Sequence, residues 1–228
     1  MSKGLKKEDL EQDILIEYSS RFVHYYEQNK ATVLGSAVGI VAVIGLLIGY
    51  FMYMNQQENQ AQILLGTAEE ALMMGNYNNA LYGDETEFTI GFVQIANNFG
   101  STSAGNLARY YAAVSEFELG NAEDALTHIE QFNVPRGIVG VPAKSLHAII
   151  LSELGRYGEA ARKFEEAARW NINPSTTPYN LYEAAIAHRE AGNDAEALRL
   201  TEEILAEFGN SQQAVRAERL KGRLTHGG

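Results

Sequence analysis

Five histidines, no cysteine and a few paired carboxylates are the side chains of this 228-residue sequence whose types could carry catalysis or hold a metal. Without cysteine there is no thiolate nucleophile. His24, His128, His147, His188 and His226 are scattered, and none stands in the HExxH spacing that aims two imidazoles from one helix face at zinc. Asp84, Glu85 and Glu87 are close together, but they lack the alternating ligands and the glycine of a calcium loop, so they read as a solvated insertion. Glu165 with Glu166 and Glu202 with Glu203 lie in charged helical patterns, as on a water-facing side, rather than as a poised acid and base. The sequence predicts a non-enzymatic protein without metal or cofactor.

What remains is binding, and the elements that would position binding residues are helical. The phrase LGRYGEAARKFEEAARW, Leu154 to Trp170, echoes along the chain. Gly75, Gly120, Gly155 and Gly192 each end a helical pattern, and five residues after each stands an alanine: Ala80, Ala125, Ala160, Ala197. The glycine spacings are 45, 35 and 37 residues. Helix, glycine turn, helix at this period resembles the tetratricopeptide repeat (TPR). The third repeat matches that consensus best, with Ala148, Gly155, Tyr157, Ala160, Phe164 and Ala167 on its small, turn and aromatic positions. The second keeps Ala113, Gly120 and Ala125, and the fourth Ala185, Gly192 and Ala197.

The first repeat keeps Gly75, Tyr77 and Ala80, and then an insertion near LYGDETEFTI predicts a loop or a broken helix before a pattern at Phe92, Ile95 and Phe99. Pro142 and Pro178 fit the first turns of first helices. No strand pattern interrupts the series. Ser211 to Leu224 predicts a capping helix over the last apolar face. The expected fold is all-α: about four helix–turn–helix repeats and a cap. In such arrays the first helices line a concave groove for a segment of another protein. Counting back from each turn glycine places Tyr110, Val114 and Phe117 there from the second repeat. Ser145, Ile149 and Ser152 follow from the third, and Tyr179, Tyr182, Ile186 and Arg189 from the fourth. His147 and His188 fall on the same first helices, where packing or a groove role is expected. Tyrosine-rich and poor in charge, this face suits apolar, sequence-tolerant contacts.

Ala31 to Met54 holds 24 residues without a charge, enough to cross a hydrocarbon core of about 30 Å as one helix. Tyr50 and Tyr53 sit where an aromatic belt would lie. Lys3, Lys6, Lys7, Arg21 and Lys30 precede the run, whereas no Lys or Arg occurs from Asn55 to Ala108, which puts the N-terminus in the cytoplasm. The expected organisation is a cytoplasmic juxtamembrane segment over 1–30, a transmembrane helix over 31–54 and a periplasmic TPR-like domain over 55–228. Gly35 with Gly39 and Gly45 with Gly49 form GxxxG pairs that allow close approach by another helix, from a second copy or another protein. Ile14, Leu15, Tyr18, Phe22, Tyr25 and Tyr26 outline a short amphipathic helix before the membrane. The 13 Lys and Arg after residue 30 are outnumbered by 23 Asp and Glu, so nucleic acid is excluded as a partner.

The arrangement RFVHYYEQNKATVLGSAVGIVAVIGLLIGYFMY, followed by a polar helix and degenerate repeats, resembles a family of bacterial inner-membrane proteins that are ancillary subunits of the Sec translocon. The resemblance implies attachment to translocon channel subunits, cooperation with a membrane-anchored peptidyl-prolyl isomerase, and chaperone-like handling of unfolded envelope proteins. The insertion after Tyr82 departs from that family's pattern. A structural scaffold for another envelope complex, in division, secretion or cytochrome assembly, is the alternative that the residues leave open.

Overall fold

The computed structural model describes residues 20, 21 and 23–226, and these divide at Asn55 and Gln56 into two units. Ile14, Leu15, Tyr18 and Phe22 of the amphipathic pattern lie outside the described residues, as do Lys3, Lys6 and Lys7. Tyr25 and Tyr26 fall in a helical stretch over 23–28 and are exposed.

Helix α1, Lys30–Met73, is 44 residues long and contributes 30–55 to the first unit and 56–73 to the second. Leu, Ile, Val and Ala dominate its first half, and no proline interrupts it, so every internal backbone group is paired along the helix. The Ser36 hydroxyl also folds back, donating to the Thr32 carbonyl at 2.8 Å. None of the apolar window is buried among the described residues, and Leu46 and Phe51 are each 75% exposed. By length and composition this helix is able to cross a membrane.

The regular elements of the second unit are all helices among its described residues. The second half of α1 buries Ala61, Leu65 and Ala68, one helical face, and forms the first helix of repeat one. Its second helix is split by the insertion: α2 (Tyr77–Tyr82) stops at Gly83, and α3 (Phe92–Asn98) resumes the pattern, burying Phe92 and Ile95. Repeat two is α4 (Ser103–Glu118) and α5 (Ala122–Glu130). Repeat three is α6 (Val141–Glu153) and α7 (Tyr157–Trp170). Repeat four is α8 (Thr177–Glu190) and α9 (Asp194–Glu207), and α10 (Gln212–His226) packs on both α8 and α9 as a cap. Pro142 and Pro178 occupy first turns of α6 and α8, where a missing N–H costs nothing.

The four turns are built alike because glycine is the one residue that enters the left-handed region without a Cβ penalty. Gly75, Gly120, Gly155 and Gly192 have φ of 70–83°. In each, the glycine N–H and the following N–H bond back to carbonyls of the preceding helix: Gly155 to Ser152 at 3.0 Å and Arg156 to Leu151 at 2.9 Å, for example. This arrangement pairs the orphaned carbonyls and turns the chain at once into the next helix. Ala80, Ala125, Ala160 and Ala197 are fully buried, as are Ala113, Ala148 and Ala185, so that facing helices meet at backbone distance. Phe164 fills the space in repeat three, whereas Tyr157, expected beside the turn, is 37% exposed at the mouth of a cleft. Side chains on α4 divide between two core clusters: Ala108 and Ala112 pack toward repeat one, Ala113 toward repeats three and four.

Candidate functional site

All ten residues expected on the groove face are half-buried, the exposure of side chains that stand between a core and solvent. The structure gathers only some of them. Tyr110, Ser145, Ile149 and Tyr179 line one cleft of about 490 Å³, bounded by the first helices α4, α6 and α8 and closed by Gln213 of the cap. Ile149, Ser152 and Ile186 line a second of about 240 Å³ between α6, α7 and α8. Val114, Phe117, Tyr182 and Arg189 stand outside both. Phe117 and Tyr182 pack against the core, Arg216 of α10 lies 5.6 Å from the Tyr182 ring, and the Arg189 guanidinium is paired with Glu190.

In the first cleft, apolar surface comes from Leu146, Ile149 and Val141 and aromatic surface from Tyr110 and Tyr179. Tyr110 is fixed by neighbours on two sides, 5.5 Å from the Tyr111 ring and 5.6 Å from Phe132. Burial raises the pKa of the Tyr110 hydroxyl, and burial with the nearby Glu183 charge does the same for Tyr179, so both rings present neutral O–H groups. The polar wall is held rigidly: Ser145 Oγ donates to buried Asn180 Oδ1 at 2.7 Å, and Asn180 Nδ2 donates to the Thr176 carbonyl at 2.9 Å. No Asp, Glu, Lys or Arg lines this cleft. Leu146 and Pro142 were within reach of the sequence, since they share the helical face of Ser145 and Ile149. Gln213 was not, because its place depends on where the cap docks.

The opposite side of repeats three and four is ionic and already paired. Glu165 receives His188 Nε2 at 3.0 Å and Arg199 at 3.0 Å, and Glu203 receives Arg199 at 3.2 Å and Arg169 at 3.5 Å. These carboxylates are therefore braces between α7, α8 and α9, whereas Glu166 and Glu202 are more exposed partners of Lys144 and Lys221. A hollow of about 400 Å³ on α5, α6 and α7 contains His147, whose pKa burial lowers, and ion pairs that satisfy one another: Arg156 with Glu159, and Lys144 and Lys163 with Glu166. Among the described residues no group of three or more His, Asp or Glu is placed to hold a metal ion. At the insertion, the Asp84 carboxylate accepts from Thr86 and Asn79, which is loop closure. Gly35, Gly39, Gly45 and Gly49 have nothing within 4 Å of a built Cβ, so their faces stand open.

A solved structure shares this architecture: a substituted form of a Podospora anserina kinesin light chain with nearly identical TPR-like repeats, at a TM-score of 0.55 and 15% identity, over 73% of this chain and 85% of that one. At that identity the likeness is one of fold, and the fold is TPR-like. No curated protein matches the chain. The sequence family described as the N-terminal domain of the T7SS, ESX-1 secretion system protein EccA1 matches residues 15–221. That match spans nearly the whole chain, and the chain belongs to this family of secretion-protein N-terminal domains.

Proposed function

We propose that this protein is a non-enzymatic, membrane-tethered binding subunit for protein export across a bacterial inner membrane. In this reading residues 1–30 are cytoplasmic, 31–54 cross the bilayer and 55–228 are periplasmic. The observation that carries it is the charge-free, aromatic cleft on the inner face of α4, α6 and α8, a surface fitted to segments of unfolded chain rather than to one charged motif. The apolar first half of α1, none of it buried, supports the tether. Holding a weak cleft beside an exit channel raises its effective concentration to the millimolar range, so modest affinity suffices. The Sec translocon is the machine assigned here, with channel subunits beside the membrane helix, a membrane-anchored peptidyl-prolyl isomerase as co-worker and unfolded envelope proteins as clients.

The family description favours a second reading, a fixed part of a dedicated secretion apparatus in which the cleft holds one constant peptide. Photo-crosslinking side chains at Tyr179 in the cleft, Arg162 on the outside of α7 and Leu47 in the membrane helix separate the two. Translocon handling predicts adducts of a stalled secreted precursor at position 179 and of channel subunits at 47, with neither at 162. One invariant envelope subunit at 179, and no precursor, would replace it with the second reading.

A further inference from the structure

The two clefts on the inner face differ in charge, and that difference defines a ligand. They adjoin, because Ile149 lines both. The first has no charged lining residue, whereas the second has an apolar floor of Ile149, Phe164 and Ile186 rimmed by Glu153, Glu183 and Glu190, with no lysine or arginine among its lining residues. Glu190 is already paired with Arg189. Glu153 and Glu183 make no salt bridge or hydrogen bond among the described residues, and Glu183 is half-buried. Desolvation raises the Glu183 pKa above its ordinary value even though the Arg216 charge pulls the other way. A partly desolvated carboxylate at an open hollow gains most from a cation brought by a ligand.

We infer that the inner face takes an extended, unfolded segment in which an apolar or aromatic side chain enters the neutral cleft while a nearby lysine or arginine enters the acidic one. This inference rests on the peptide-binding reading above and adds its selectivity. In an extended chain, side chains two residues apart point the same way and stand about 7 Å from each other, which suits neighbouring hollows. An acidic side chain, or a free C-terminal carboxylate, would be left without a counter-ion in the first cleft and repelled at the second. Segments mixing apolar with basic residues are therefore selected over acidic ones.

The test uses the full chain in nanodiscs of zwitterionic phosphatidylcholine, a surface that does not itself attract cationic peptides. Three dye-labelled peptides with blocked ends are compared by fluorescence anisotropy: one with phenylalanine flanked at two-residue spacing by lysines, the same with glutamates in place of the lysines, and the lysine peptide with alanine in place of phenylalanine. The phenylalanine–lysine peptide is expected to bind about tenfold tighter than the glutamate one at low salt, with the gap shrinking as salt is raised. In a Glu153→Gln, Glu183→Gln double variant with an unchanged melting curve, the gap is expected to fall to about twofold. The alanine peptide is expected to lose most of its binding. Equal affinity for the lysine and glutamate peptides would overturn the charge selection while leaving peptide binding in place. No binding by any of the three, nor by a denatured, labelled polypeptide, would overturn both.

Discussion

The Glu116 carboxylate, only 2% exposed, ties the first two repeats together: it accepts from the Tyr82 hydroxyl at 3.0 Å and from Asn121 Nδ2 at 2.7 Å. Tyr82 ends α2 and Asn121 follows the turn glycine of repeat two, so one acceptor fixes both the insertion and the second turn. The same hydrogen bond, with burial, raises the Tyr82 pKa. Replacing Glu116 with alanine removes the acceptor that Tyr82 and Asn121 share and opens a void, and the expected loss is about 1–3 kcal/mol in urea unfolding of the detergent-solubilised chain. Glu116→Gln keeps an acceptor and the volume, and the expected loss is about half of that. An equal loss in both would show that charge, not the hydrogen bonds, sets the cost. Nothing in the sequence marks this residue, since a glutamate near a helix end reads as a solvated face. The turn glycines are the opposite case. Gly155 sits at φ 70° with open space around a built Cβ, so Gly155→Ala isolates the backbone cost, and about 1 kcal/mol of destabilisation is expected.

At the scale of elements, repeats two to four were legible because their signals are local: a left-handed glycine and an alanine five residues on. The insertion was legible only as an interruption. Its closure depends on side chains that meet after folding: the Asp84 N–H donates to Thr89 Oγ1 at 2.9 Å and the Thr89 N–H to the Asp84 carbonyl at 3.1 Å. Gly91 then passes so close to the Leu81 carbonyl group that a Cβ there would lie 2.2 Å from it. Between these anchors Phe88 holds φ 54° and is 93% exposed, a strained backbone with a ring that buries nothing. Phe88→Asn, which tolerates that conformation, is expected to raise stability by about 0.5–1 kcal/mol, measured as a shift of the urea midpoint. A loss instead would show that the ring has a partner in the folded molecule. The candidate site was half legible for the same reason. Counting along first helices found the face, but Glu153, Glu183 and Glu190 look like ordinary solvated charge until α6 packs against α8 and sets them around one hollow.

Across the whole molecule the titrating groups define the pH window of the fold. Burial lowers the pKa of His128 and His147 below 6.5, so their contribution is present above that value and is lost as pH falls through their lower folded values. Hydrogen bonds from Thr86 to Asp84 and from Arg156 to Glu159 lower those carboxyls, and that contribution goes at still lower pH, below the usual carboxylate range. The alkaline side belongs to tyrosine. Burial, aided by the Glu69 charge, pushes Tyr111 up to about 12, and Tyr82, Tyr110 and Tyr179 are raised as well. For a group whose folded pKa is raised, stability is whole below the unfolded value near 10 and is lost as pH climbs through the folded one. Melting temperature should therefore be flat from about pH 7 to 9.5, sag gently below 6.5 and fall steeply between about 10 and 12. Tyrosinate absorbance at 295 nm should lag behind free tyrosine over that steep interval, and Tyr111→Phe should remove part of the lag and of the fall. If tyrosinate formed at the free value while the fold persisted, the ring cluster of Phe92, Tyr110, Tyr111 and Phe132 would be open to water, and with it the Tyr110 wall of the binding cleft.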